Sequence, residues 1–282
     1  MLQDMELSEF IKASLAEDLG DGDHTSQSTI PSSQVGKAHL LVKDEGIIAG
    51  LSVAKEIFKI VDPELIITFF AQDGEVIKKG QLLFDIEGKV QSILIAERLV
   101  LNCMQRMSGI ATTAKKYVDS VSGTNAKILD TRKTTPLLRF LEKEAVRTGG
   151  AHNHRFGLYD MILIKDNHVD SAGGIQPALE KAKLYLERKN ISIPIEIETR
   201  NLDEVKEAVK TGIPNRIMFD NFEPDLIQQA LLIVDRKMET EASGGINLSN
   251  VRSYALTGVD YISIGALTHS VKSLDLSLKI VK

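Results

Sequence analysis

The chain has 282 residues, 43% of them hydrophobic and 26% charged, with a net charge of -5 and a single cysteine. This composition excludes a disordered, collagen-like or membrane-embedded chain, and the longest apolar runs fall far short of the roughly 20 residues that span a bilayer. Cys103 alone allows no internal disulfide, and the acidic balance, the 5% aromatic content and the lack of tryptophan argue against a nucleic-acid partner.

The N-terminus, MLQDMELSEF, has neither a basic start nor an apolar core. A cytoplasmic protein with no membrane partner is expected. Short strand-like runs follow at Lys37 to Val42, Leu65 to Phe70, Leu82 to Ile86 and Val90 to Ile95. Turn signals such as Asp73-Gly74 and Lys79-Gly80 separate them. From Glu97 a helical rhythm takes over. Val100, Cys103, Met104, Met107, Ala111, Ala114 and Val118 recur at spacings of three and four, which predicts one buried face of a long helix. Cys103 lies on that face and reads as a small core residue.

After Lys127 the rhythm changes again. Apolar runs at Ile128-Leu129, Met161 to Ile164, Ile193 to Ile197, Ile217 to Phe219, Met238 to Ala242 and Tyr261 to Ile264 alternate with helical stripes such as Leu202, Val205 and Val209. Alternating strands and helices predict parallel βαβ units. An open doubly wound sheet and a closed or nearly closed barrel of fewer than eight strands share this spacing. The strand ends favour the barrel. They carry Asp130-Thr131-Arg132-Lys133, Lys165 to His168, Glu196 and Glu198, Asp220-Asn221, Ser243-Gly244-Gly245 and Gly265, and barrel active sites form where such ends converge. The C-terminal Leu274, Leu276, Leu278 and Ile280 alternate with period two, a last strand that returns to the first domain.

Three clusters carry chemistry. Residues 130–168 hold seven Lys or Arg against five acids, and three of the six histidines, which suggests an anion site. Arg139, Lys143 and Arg147 recur at helical spacing and read as a solvated helix face. Lys165 ends an apolar strand and reads as functional. His152, His154 and His168 have zinc-like spacing, but no cysteine supports zinc and the neighbouring cations would repel a metal. In the second cluster, Ile195-Glu196-Ile197-Glu198 alternates, so both carboxylates share a strand face. With Asp220 they could hold magnesium or ribose hydroxyls, or serve as ion-pair partners. The third cluster is the pair of glycine turns, Ser243-Gly244-Gly245 and Gly265, in the usual phosphate position of such barrels. Together they imply a phosphorylated sugar meeting an acidic small molecule. A carrier-like segment, Asp73 to Gln81, lacks the Met-Lys tip of a lipoyl or biotinyl domain and reads as a scaffold turn.

At these motifs the sequence resembles the quinolinate phosphoribosyltransferase family, also called nicotinate-nucleotide pyrophosphorylase (carboxylating). The resemblance runs through Glu17 to Ser26, Glu97-Arg98-Leu99 with Asn102, Ser108 to Thr112, Asp130 to Pro136, Gly149-Gly150 with Asn153-His154-Arg155, Lys165 to His168, Glu196 to Glu198, Asp220 to Phe222 and Ser243 to Gly245. It implies an α/β protein with an N-terminal α/β sandwich, residues 1–107 with strand 270–282 returning to it. The second domain would be an incomplete, about seven-stranded TIM-like α/β barrel, residues 108–269. It implies a pentosyltransferase of NAD biosynthesis that joins quinolinate to phosphoribosyl pyrophosphate with magnesium, releasing pyrophosphate and carbon dioxide. The nearest alternative is a paralogous pyrophosphorylase acting on another acidic base.

By the same resemblance, Arg132, Arg155 and Lys165 would grip the quinolinate carboxylates, with Lys133 and His154 in the same pocket. Lys133, Lys165, Glu198 and Asp220 would be the catalytic groups. Glu198 and Asp220 would contact ribose hydroxyls or magnesium pyrophosphate. Ser243, Gly244, Gly245 and Gly265 would hold the 5′-phosphate, with His269 nearby. Arg98 would reach into a partner's site in a homodimer or larger homo-oligomer. Leu137, Glu144 and Thr199-Arg200 depart from the family pattern, where glycine, an aromatic residue and Val-Asp are common.

Overall fold

The computed structural model describes residues 2–281. In chain order the elements are α1 (Leu2–Leu19), α2 (His24–Thr29), β1 (Val35–Val42), β2 (Gly46–Ile47), α3 (Leu51–Val61), β3 (Ile66–Phe69), β4 (Val76–Ile77), β5 (Leu82–Lys89), α4 (Val90–Ser120), β6 (Lys127–Leu129) and α5 (Arg139–Thr148). There follow β7 (Ile162–Ile164), α6 (Asp166–Ala172), α7 (Ile175–Lys189), β8 (Ile195–Thr199), α8 (Leu202–Thr211), β9 (Arg216–Asp220), α9 (Pro224–Val234), β10 (Glu239–Ser243), α10 (Val251–Ala255), β11 (Tyr261–Ser263), α11 (Ala266–His269) and β12 (Leu276–Val281). They form two compact units, Met1–Lys115 with Thr135–Gly150 and Ser270–Lys282, and Lys116–Thr134 with Ala151–His269. Helix α4 runs unbroken through residues 107 and 108.

The first unit holds an antiparallel sheet in the order β12-β1-β5-β3 and a small β2-β4 pair. Leu40 pairs with Phe84 on one side and Leu278 on the other, and all three are buried. Phe84 also meets Phe58 and Phe69 edge-on, at centroid distances of 5.8 and 5.6 Å. Each such side chain contributes about 1.5–3 kcal/mol by leaving water. The run Val90 to Ile95, expected as a strand, is the first turns of α4. Val90, Ile93, Ala96 and Val100 continue the buried helical stripe, which overrides the short apolar run.

The solvated face expected on α5 also needs correction. Arg147 does pair with Glu144 at the surface, but Glu142 and Lys143 are buried. Arg106 of α4 makes this possible for Glu142: its Nε and Nη2 lie 2.8 and 2.6 Å from Glu142 Oε1. Arg106 also donates to Thr135 Oγ1, at 2.8 Å.

The second unit is a parallel sheet ordered β6-β11-β10-β9-β8-β7. This is barrel order with an open seam between β6 and β7. It has six strands where about seven were expected. A single parallel bridge from Leu129 to His152 stands beside β6, too short to form a further strand. Caps fix the helices. Asn201 accepts from the amides of Asp203 and Glu204 to start α8, and Pro224 opens α9. Among the described residues no helix is long and apolar enough to cross a membrane.

Candidate active site

Strand ends of the second unit surround a cavity of about 850 Å³. Arg132 and Lys133 enter it after β6, Lys165 after β7, Glu198 from β8 and Asp220 from β9. Ser243, Gly244 and Gly245 close it from β10, and Gly265 and His269 from β11. His154 and Arg155 enter from the segment after the His152 bridge. Parallel strands deliver these residues together because they all end at the same edge of the sheet. Arg98 is elsewhere. It lines a cavity of about 280 Å³ in the first unit, with Glu17, Asp18, Asn102 and Arg106.

Positive charge concentrates on one side. Burial lowers the Arg155 pKa, and the positive charge of Arg132 lowers it further. Arg132 Nε is itself buried with no hydrogen-bond partner. Two guanidinium groups lining one cavity, near enough for the charge of one to act on the other, fit an anion of more than one charge. Arg155 is braced by a bond of 3.1 Å from Nη1 to the Met161 carbonyl. Its loop is tied by Asp160, which accepts from the amides of Phe156 and Gly157 at 2.6 and 2.8 Å.

The acids enter from β8 and β9. Lys165 Nζ lies 2.8 Å from Glu198 Oε1. Asp220 Oδ2 accepts from the Asn221 side-chain amide, at 2.9 Å. The two glutamates of β8 share the inner face but have different partners: Glu198 meets Lys165, whereas Glu196 is fully buried 3.0 Å from His154 Nε2.

His154 also lies 3.4 Å from Glu241, and Arg216 Nη1 lies 2.9 Å from Glu241. Burial drives the Glu196 pKa up, to about 7, and the charge of Glu241 adds to this. Burial acts on Glu241 in the same sense but is overcome by His154, Ser263 and Arg216, so its pKa is lowered. Burial resists a charge on His154, while the two carboxylates pull its pKa up. The Arg155 amide offsets that pull. It lies 2.7 Å from His154 Nδ1 and needs the lone pair there, which assigns the proton to Nε2. His154, Glu196 and Glu241 are the group of metal-ligand type among the described residues. The Arg216 guanidinium already supplies their positive charge, so an ion-pair network accounts for them.

The glycine turns are shaped for close approach. Gly244 and Gly245 have φ of 96° and 64°. A Cβ on Gly244 would land on the Asn221 side chain, and one on Gly265 would press on His269 and Lys133. Backbone is thereby left open to a ligand such as a phosphate.

Sequence reasoning missed Glu241 and Arg216. The signal for Glu241 is the alternation Glu239, Glu241, Ser243 on β10, masked by reading the segment as an apolar run. Of the three zinc-spaced histidines, His168 caps α6 by accepting from the Lys165 amide at 2.9 Å, and His152 sits on the bridge beside β6. None of the four departures from the family pattern lines the cavity. Glu144 pairs with Arg147, Thr199 Oγ1 donates to the Met218 carbonyl, and Arg200 pairs with Glu204 and Asp170. Leu137 is 89% exposed at a φ of 63°.

The chain matches the family model for the C-terminal domain of quinolinate phosphoribosyl transferase over residues 110–279, and that for its N-terminal domain over residues 23–108. The chain belongs to the quinolinate phosphoribosyltransferase family. It is 45% identical to quinolinate phosphoribosyltransferase (decarboxylating) 2b, mitochondrial, of Nicotiana tabacum, over 98% of this chain and 82% of that one. It is 44% identical to the chloroplastic nicotinate-nucleotide pyrophosphorylase (carboxylating) of Arabidopsis thaliana, over 98% of this chain and 83% of that one. Among solved structures it is similar to NadC from Streptococcus pyogenes, with a TM-score of 0.93 at 36% identity, covering 99% of this chain and 98% of that one.

Proposed function

We propose that this chain transfers phosphoribose from phosphoribosyl pyrophosphate to quinolinate with decarboxylation, giving nicotinate mononucleotide, pyrophosphate and carbon dioxide. The observation that carries the reading is the convergence of Arg132 and Arg155 in the cavity, where burial and the charge of Arg132 disfavour the charge on Arg155. Quinolinate brings two adjacent carboxylates, and arginine forks match carboxylates in a bidentate manner. Lys133, Lys165 and His154 complete that side of the pocket, and Glu198 and Asp220 face the ribose. Ser243, Gly244, Gly245 and Gly265 cradle the 5′-phosphate, with His269 beside Gly265.

In this reading the pyridine nitrogen attacks the anomeric carbon, the carbon–oxygen bond breaks, and its electron pair leaves with pyrophosphate. Cationic character on ribose is balanced by Glu198 and Asp220, and Lys133 and Lys165 meet the negative charge on the other side. The carboxylate next to the ring nitrogen then leaves as carbon dioxide. Its electron pair stays on the ring carbon beside a positive nitrogen until a proton takes it. The family implies magnesium, which would be bound together with phosphoribosyl pyrophosphate. The carboxylates of Glu198 and Asp220 fit it, because it takes oxygen donors and commonly binds through one or two carboxylates plus substrate phosphates. Lys165 already neutralises Glu198, which leaves Asp220 as the stronger donor. Bound magnesium would supply charge neutralisation of the leaving pyrophosphate. Arg98 would serve the same reaction in the site of a second copy, which makes the working form at least a homodimer.

Calorimetry on Arg132→Ala tests the pocket assignment. Quinolinate binding is expected to weaken by about 100-fold or more, as befits a charged hydrogen-bonding fork, while phosphoribosyl pyrophosphate affinity is largely kept. Equal loss of both would contradict the assignment.

A further inference from the structure

The cavity floor contains a charge network with no direct part in the proposed reaction. Its members lie on adjacent strands: Glu196 pairs in register with Arg216 and Arg216 with Glu239, while Glu241, two residues further along β10, pairs with Tyr261. Arg216 is gripped from three sides. Nη1 lies 2.9 Å from Glu241, Nη2 lies 3.0 Å from Glu239, and the guanidinium stacks 4.0 Å over the Tyr261 ring. Tyr261 in turn donates to Glu239 at 3.0 Å. His154 meets this network through Nε2, 3.0 Å from Glu196 and 3.4 Å from Glu241.

The other bonds of His154 point at the substrate pocket. Its main-chain amide donates to Asp130 Oδ1 at 2.8 Å, which ties it to the strand end that carries Arg132. Its Nδ1 accepts from the Arg155 amide at 2.7 Å. The imidazole therefore has one edge on the buried carboxylates and the other on the backbone of Arg155.

We propose that Glu196, Glu241 and Arg216 are positioning residues for the acidic pyridine substrate: they fix the His154 ring, and the ring fixes Arg155. The inference rests on the assignment of Arg155 to quinolinate made above. A purely structural layer is the competing account, since residues low in such sheets often serve stability. The two differ in what they do to individual substrates. A displaced Arg155 weakens quinolinate handling selectively, because small misplacements of a binding group carry large kinetic penalties. A loosened scaffold affects both substrates together.

The test compares steady-state kinetics of purified, folded Glu196→Leu, Glu196→Gln and Arg155→Lys enzymes. Glu196→Leu removes the carboxylate that lies 3.0 Å from Nε2, and Glu196→Gln keeps a polar oxygen there. Glu196→Leu is expected to raise the quinolinate KM about tenfold, with the phosphoribosyl pyrophosphate KM within about twofold of the parent. Glu196→Gln is expected to restore the quinolinate KM to within about threefold of the parent. If Glu196→Leu does not fold, Arg216→Lys takes its place: it keeps the charge but cannot bridge Glu239 and Glu241, and the same selective rise is expected. An unchanged quinolinate KM, an equal rise in both KM values, or a glutamine variant as impaired as the leucine one overturns the proposal. Arg155→Lys separates the two levels. If it raises the quinolinate KM and Glu196→Leu does not, the Arg155 assignment stands and the positioning role falls. If it has no effect, both fall.

Discussion

Lys165 Nζ lies 2.8 Å from Glu198 Oε1, so the ends of β7 and β8 meet through an ion pair inside the cavity. Lys165 is 48% exposed at its side chain. A pair this wet contributes at most about 1 kcal/mol to stability. Its value lies in placing one cation and one anion where charge develops. Glu198→Gln is therefore expected to lower kcat by about 10- to 100-fold with little change in Tm. Rate measurement beside thermal unfolding checks this, and a large Tm loss with normal kcat would contradict it.

Gly244 stands at a φ of 96° against the Asn221 side chain. An alanine there suffers the left-handed penalty of about 1–2 kcal/mol and a collision as well. Gly244→Ala is expected to weaken phosphoribosyl pyrophosphate binding by at least about tenfold, because the displaced turn no longer presents its amides. Titration with phosphoribosyl pyrophosphate and with quinolinate separately reads the effect, and quinolinate affinity should change less.

Leu137 offers the opposite case. It holds a φ of 63° while 89% exposed, so its side chain returns almost no burial for the strain. Glycine, which the family resemblance leads one to expect at this position, would carry no such strain. Leu137→Gly is expected to stabilise the fold by about 0.5–1 kcal/mol, the strain relieved less the flexibility gained by the unfolded chain. Differential scanning calorimetry should show a Tm rise of about 1–3 °C. A fall in Tm would mean that the loop needs leucine for packing.

Cys103 is buried on α4, and burial pushes its thiol pKa up to about 12. A raised thiol pKa keeps the neutral, unreactive form throughout the range below it. Iodoacetamide is expected to leave the folded protein unlabelled up to about pH 9 and to label one site after denaturation. Labelling of the native protein that rises steeply between pH 7 and 9 would place the thiol in a different environment.

Much of this site could be read from strand ends. Lys133, Lys165, Glu198 and Asp220 stand out because each is a charged residue at or soon after the end of a strand-like run, and a parallel sheet brings such ends to one edge. The buried layer beneath was less visible. Arg216 begins a strand and Glu241 sits inside one, so neither interrupts a pattern, and their pairing depends on a register no local signal encodes. Lys143 departs from its expected place for a related reason: helical spacing predicts which residues share a face, but not that tertiary packing encloses one of them. The start of α4 was lost because a six-residue apolar run is ambiguous between strand and helix until the stripe is followed across Val100. The strand count differed because the seventh position holds only the His152 bridge.

The central claim is tested most directly by incubating the purified protein with magnesium and phosphoribosyl pyrophosphate, and measuring carbon dioxide and pyrophosphate with quinolinate or nicotinate as acceptor. Release of both products in equal amounts is expected with quinolinate, at a rate at least about 100-fold above that of pyrophosphate release with nicotinate, since a pocket built for two carboxylates leaves part of its cationic lining unpaired around one. Full turnover with nicotinate and none with quinolinate would contradict it.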